Sequence, residues 1–281
     1  MNLTWPIALA VLFGALLHAG WNALVKSGND KALDTSLMNL IGGGMALPLV
    51  VLLGLPATAA WPWLLASAAI HVGYYALLTA AYRHGELALT YPLMRGAAPL
   101  VVALLSASAF GEPLSTAAWA GVLAVCGGVL VLGLSHHGLE SGRAVAFALA
   151  NAVVIAAYTV VDARGVRASG HAGSYVVTLF AVNALPFAAI VVARRGLPTL
   201  ARHARQRGLL AACGAVASAG SYGIALWAMT RAPVASVAAL RETSVLFAAL
   251  LAAWQLHERF TARRALGTFV ILAGVAALRL G

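Results

Sequence analysis

The sequence predicts an all-α polytopic membrane protein of ten transmembrane helices, five in each of two copies of one unit, and three observations predict it. The chain is 62% hydrophobic and only 9% charged, where a soluble domain carries roughly half and a quarter. Its apolar runs fall at 5–25, 34–54, 61–82, 87–108, 115–134, 143–162, 173–193, 208–229, 234–254 and 263–280, each near the ~20 residues that span about 30 Å of hydrocarbon. A gapless shift of 146 positions then lays Arg95 on Arg241, Ala103-Leu104-Leu105 on Ala249-Leu250-Leu251, Glu112 on Glu258, Gly121 on Gly267 and Gly128 on Gly274. The two units are read as 1–138 and 139–281. Backbone groups in lipid must be bonded within their own segment, and the two-residue alternation of a membrane barrel is missing, so the spans are expected to be helices.

The formal net charge of +10 would suggest nucleic acid in a soluble protein. Here the basic residues gather in short connections, where they act as topology signals, and no nucleic-acid partner is expected. Twelve lie on one side (Lys26, Lys31, Arg83, Arg143, Arg194, Arg195, Arg202, Arg205, Arg207, Arg259, Arg263 and Arg264) and four on the other (Arg164, Arg167, Arg231 and Arg279). That bias puts both termini outside. Span 1 has no basic segment before Trp5, so it is kept as a span rather than a cleaved leader. Cys126 and Cys213 both lie within spans, too few and too deep for a disulfide framework or a zinc site, and no metal or cofactor is expected.

In chain order, span 1 carries a polar stripe of Gly14, His18, Trp21 or Asn22, and Lys26, at three-to-four-residue spacing on one helical face. As bundle glue each polar group would be worth ~0.6–2 kcal/mol, but together they favour a cavity. Span 2, with Gly42-Gly43-Gly44, reads as structural. Span 3 puts His71, Tyr75, Leu78 and Tyr82 on one face with Tyr74 beside it; for Tyr82, next to Arg83, an interfacial belt is the better reading. Span 4 flanks Arg95 with Tyr91-Pro92 and Pro99, and prolines that remove helical hydrogen bonds predict a helix broken around a buried arginine.

Span 5 shows close-packing positions at Gly121, Gly127 and Gly128. In span 6, Asn151, Ile155, Tyr158 and Asp162 share a face; Tyr158 takes the place of Trp21, and Asp162 is expected near the membrane surface beside Arg164, with a structural role. Span 7 offers weak signals in Tyr175 and Asn183. The stretch RRGLPTLARHARQRG is expected to be a connection facing anionic membrane lipid. Span 8 brings Tyr222 near the repeat position of Tyr75. Span 9 carries Arg241 and Glu242 near its middle, and a charge there persists only when it faces protein or a wet cavity.

These features resemble the drug/metabolite transporter superfamily, EamA type. The residues that carry the resemblance are the paired repeat endings, FGEPLSTAAWAGVLAVCGGVLVL and LHERFTARRALGTFVILAGVAAL, each with Glu, then Gly nine positions on and Gly seven further. The opening LLHAGWNALVK is similar to a subgroup of membrane proteins associated with phosphonate utilisation. The resemblance implies two five-helix repeats of opposite orientation, a multi-pass protein of a bacterial inner membrane, and cargo among amino acids, other metabolites and nucleotide-linked sugars. It also implies termini in the cytoplasm, against the charge count, so the orientation stays open.

The expected function is secondary active transport of a small-molecule solute. No G-x-x-x-x-G-K-S/T sequence is present to bind ATP, and protons are the expected driving partner. Arg95 and Arg241 suit carboxylate or phosphonate oxygens, which predicts a small anionic or zwitterionic cargo. The expected binding set is His18, Trp21, Asn22, His71, Tyr74, Tyr75, Tyr91, Arg95, Tyr158, Tyr222, Arg241 and Glu242. Glu242, the only carboxylate that the span assignment places deep in the membrane, is the expected proton carrier, with His18 and His71 as alternatives. Efflux of cationic or amphipathic drugs is the alternative cargo class. An intramembrane enzyme using His18, His71 and Glu242 is disfavoured, since no HExxH or paired-carboxylate motif occurs. A non-transporting membrane subunit would have no wet path at all.

Overall fold

A computed structural model describes residues 2–84, 87–133, 142–256 and 262–280. Among them it forms eleven α-helices: α1 (Trp5–Lys26), α2 (Lys31–Leu53), α3 (Trp61–His84), α4 (Leu87–Phe110), α5 (Thr116–Gly133), α6 (Gly142–Ala168), α7 (Ala172–Arg195), α8 (Leu197–Met229), α9 (Val234–Arg241), α10 (Ser244–Leu256) and α11 (Ala262–Leu280). One 3₁₀ turn, Thr58–Ala60, precedes α3. The protein is an all-helical, multi-pass membrane protein. Seven stretches are long and apolar enough to cross a bilayer, and Thr116–Leu132 and Ala265–Leu280 add shorter apolar helices. Large apolar side chains such as Val51, Leu52, Leu209 and Phe269 point outward, as lipid-facing surfaces require.

Short signals set the helix ends. Asp30 caps α2 by accepting from Ala32 and Leu33 N–H, each at 3.1 Å, so two otherwise orphaned donors are satisfied. Gly54 after α2 and Gly196 between α7 and α8 adopt φ of 75° and 80°, a region other residues rarely enter.

The most extensive packing is of α5 with α11, α3 with α6, α2 with α7, α1 with α8, α4 with α6, α4 with α5 and α2 with α8, and α4 also meets α9. Exchanging the first five spans for the last five maps the 5–10, 2–7 and 4–9 pairings onto themselves and converts 1–8 into 3–6. A twofold relation between two copies would give these pairings. At the α5–α11 seam a Cβ on Gly121 would lie 2.9 Å from the Gly274 carbonyl, one on Gly128 2.9 Å from the Gly267 carbonyl, and one on Gly267 3.1 Å from the Gly128 carbonyl. The glycines singled out by the 146-residue shift therefore face each other crosswise, where any side chain would separate the backbones.

Four expectations change. Span 4 is not broken: α4 runs through Pro92 and Pro99, as membrane helices allow where neighbours satisfy the freed carbonyls. The break falls in span 9 instead, between α9 and α10. Span 6 continues to Ala168 rather than ending at Asp162, because the charges beyond it are satisfied by protein. Arg164 donates to the Ala109 carbonyl and lies over Trp63 and Phe110; Arg167 donates to the Met229 carbonyl and pairs with Glu112 at 2.8 Å. The basic stretch before span 8 is helical from Leu197, and part of it faces protein. There His203 and Arg207 reach the buried Asp34 of α2 at 2.9 and 2.8 Å. Glu86, Glu258 and the side chains of Tyr75 and Tyr82 lie outside the described residues.

Candidate functional site

α9 is buried on every face, from Val234 to Arg241. Its start is held by Glu112, whose Oε2 accepts from Val234 N–H at 3.2 Å. Its end comes at Glu242. The Glu242 N–H, which an uninterrupted α-helix would direct to the Ala238 carbonyl, turns to Ala239 at 3.0 Å, and Thr243 N–H turns to Leu240 at 3.2 Å. Thr243 Oγ1 also donates to the Leu240 carbonyl at 2.8 Å, the kind of local back-bonding by which threonine bends a helix. Arg241 thus sits at the carbonyl end of one helix and Glu242 just before the amide end of the next, where each charge suits the local dipole.

Across from this break, α4 presents Arg95. Its Nε lies 2.7 Å from Glu242 Oε2, and both side chains are more than nine-tenths buried. The contact has the geometry of an ion pair rather than a hydrogen bond, and Arg95 Nε, Arg95 Nη2 and Glu242 Oε2 complete no hydrogen bond among the described residues. Arg241 has no carboxylate at ion-pair distance among the described residues; its guanidinium lies over the Tyr222 ring, 5.0 Å from the centroid. A small cavity joins these groups, lined by Arg95, Pro99, Tyr158, Ala238, Arg241 and Glu242 among others. It has room for about one water.

An aromatic wall continues from the cavity. The ring of Tyr158 lies 4.5 Å from that of His71, 5.9 Å from Tyr74 and 6.4 Å from Tyr222. His71 Nδ1 lies 2.8 Å from the Ser67 carbonyl, which can only accept, so Nδ1 is the donor. His18 is within electrostatic reach of Arg95 and Arg241, and Tyr91 of Arg95 and Glu242. Trp21 and Asn22 stand apart from the cavity. Trp21 packs with the Leu33, Leu37 and Met38 cluster, its ring edge 5.0 Å from His18. Asn22 donates to the His18 carbonyl of its own helix at 2.7 Å.

Asp162 has surroundings that sequence reasoning did not foresee. It is fully buried within the protein. Its Oδ2 accepts from Tyr222 Oη at 2.5 Å and its Oδ1 from Tyr175 Oη at 2.9 Å. The shared face with Asn151, Ile155 and Tyr158 was the signal; Arg164 two residues on masked it. Glu242 is therefore one of two buried carboxylates beside the aromatic wall. Among the described residues, no three His, Cys, Asp or Glu side chains are grouped as metal ligands would be.

A many-spanning helical protein whose opposed charges meet at a small central cavity, beside a broken helix, belongs among solute carriers in class. Residues 142–280 match the model of the EamA-like transporter family, and the chain belongs to that family through this second half. It is a membrane transporter of the drug/metabolite type. One solved crystal structure aligns with a TM-score of 0.76 at 21% identity, covering 98% of this chain and 95% of that one; at that identity the likeness speaks for the fold. No curated protein matches the sequence.

Proposed function

We propose that the protein is a proton-coupled secondary transporter, an exporter in the bacterial inner membrane, whose cargo is a small anionic or zwitterionic metabolite such as an amino acid or a phosphonate. The observation that carries this reading is the unequal pairing at the cavity: Arg95 holds Glu242, while Arg241 lines the same cavity with an aromatic ring in place of a carboxylate. An arginine fork without a carboxylate partner suits an incoming carboxylate or phosphonate. Tyr158 and Tyr222 supply apolar wall for the rest of the solute, with His71 and Tyr74 behind them.

In this reading the units 1–138 and 139–281 move against each other about the seam. Arg95 swings toward the bound anion and Glu242, losing its partner, takes a proton; once the solute has left, Arg95 returns and Glu242 releases the proton. A cationic drug would meet two arginines at the cavity, which argues against the alternative cargo.

Solute counterflow in proteoliposomes tests the proposal, with a panel of amino acids, phosphonates, phosphorylated metabolites and cationic drugs. Exchange of a solute bearing an anionic group, with accumulation driven by a pH gradient and lost in Arg95→Gln, is expected. Preferred transport of a lipophilic cation, unaffected by Arg95→Gln, overturns it.

A further inference from the structure

We infer that Asp162, which does not line the cavity, is a positioning residue for solute recognition and acts on Arg241 through Tyr222. The inference rests on the reading of Arg241 as the anchor for the solute's anionic group.

The arrangement is built from three helices. α6 supplies Asp162, α7 supplies Tyr175 and α8 supplies Tyr222. Gly165 makes room for the assembly: a Cβ there would lie 2.3 Å from the Tyr175 hydroxyl oxygen, so Tyr175 lies flat on α6 with its hydroxyl on Asp162. Each carboxylate oxygen then accepts one tyrosine hydroxyl. The 2.5 Å contact from Tyr222 is at the short end for a hydroxyl donating to a charged acceptor. Ser67 and His71 of α3 neighbour the same carboxylate.

Two effects on Arg241 follow. The hydrogen bond fixes the Tyr222 ring, and that ring is the surface on which the Arg241 guanidinium rests at 5.0 Å. Donation to a carboxylate also pushes electron density into the phenol, which strengthens the attraction of its face for a cation. Arg241 is thereby held at the cavity wall by a partner that leaves its N–H donors unspent, whereas a direct carboxylate would occupy them. Asp162 supplies the anchoring charge at one remove.

The test uses the full chain in proteoliposomes, with counterflow of L-alanine and of 2-aminoethylphosphonate as probes and L-alaninamide, which lacks the anionic group, as a competitor. In Asp162→Asn the half-saturating concentration of the anionic probe is expected to rise about five- to tenfold, with the maximal rate within about twofold and inhibition by L-alaninamide unchanged. Tyr222→Phe, which removes one oxygen, is expected to reproduce this, and the double variant to be no worse than the more affected single one. Should Asp162→Asn fail to fold, Tyr222→Phe decides alone. An unchanged half-saturating concentration, additive losses, or equal losses for L-alaninamide overturn the inference while the cargo proposal stands. Failure of the wild type to exchange either probe overturns the two together.

Discussion

Glu242→Gln separates coupling from structure. In the wild type the Arg95–Glu242 pair, at 2.7 Å, is almost wholly removed from solvent. The substitution keeps the shape but leaves Arg95 and Arg241 facing one cavity without an acid between them. Removing one member of a buried ion pair costs about 3–5 kcal/mol, and at roughly 2–4 °C per kcal/mol for a chain of this order the melting temperature should fall by about 10 °C. Replacing Arg95 by Gln in the same chain removes the stranded charge and should recover most of the loss. An anionic solute should partly replace the missing carboxylate. At a hundredfold its dissociation constant a ligand contributes about 2.7 kcal/mol, so thermal stabilisation by the solute should be larger in Glu242→Gln than in the wild type at equal saturation. In transport, exchange should persist at temperatures where the variant is folded, while accumulation against a gradient driven by pH should vanish. An unchanged melting temperature with undiminished pH-driven accumulation would remove Glu242 from both roles and move the question to His18 and His71.

Three further outcomes follow from the packing. Gly128→Val should lower stability by at least the ~1–3 kcal/mol of an overpacked core, because its Cβ would lie 2.6 Å from an Ile271 side-chain carbon and 2.9 Å from the Gly267 carbonyl; thermal unfolding in detergent with gel filtration reads it. Gly28→Ala would set a methyl 1.6 Å from Asp34 Oδ2, expelling the carboxylate that holds His203 and Arg207, and should cost about 2–3 kcal/mol by the same measurement. Glu112→Gln should cost only about 0.5–1 kcal/mol, since its pair with Arg167 is about a fifth exposed and the amide oxygen can still accept from Val234 N–H; a loss as large as that of Glu242→Gln would refute this ranking.

Much of the fold was legible because lipid leaves the chain few options: each ~20-residue apolar run has to be a helix. The glycines at 121, 128, 267 and 274 could be read as contact positions since nothing else explains their recurrence in a shifted copy, and they pack accordingly. The helix break was misread for a local reason. Prolines at 92 and 99 are strong signals, yet neighbouring helices absorb them, whereas the turn at Glu242 contains neither proline nor glycine. The surroundings of Asp162 were not legible because Arg164 looks like a surface charge in one dimension; the aromatic rings and main-chain oxygen that satisfy Arg164 come from the Trp63 and Ala109 regions, far away in sequence. Trp21 and Asn22 share a helical face with His18, but spacing alone does not say which neighbour that face meets.

The turn that ends α9 has a consequence for how specificity can change over generations. By sending the Glu242 N–H to Ala239, it releases the Ala238 carbonyl from that donor, and Ala238 lines the cavity. Released main-chain oxygens at broken membrane helices are acceptors for solutes and ions. An arginine or tyrosine in the wall can be exchanged by a single substitution, but an oxygen of the main chain survives every replacement at position 238. On the proposed reading, variants that retune the cargo act through the side chains of Arg95, Tyr158, Tyr222 and Arg241, or by shifting the register of the break itself.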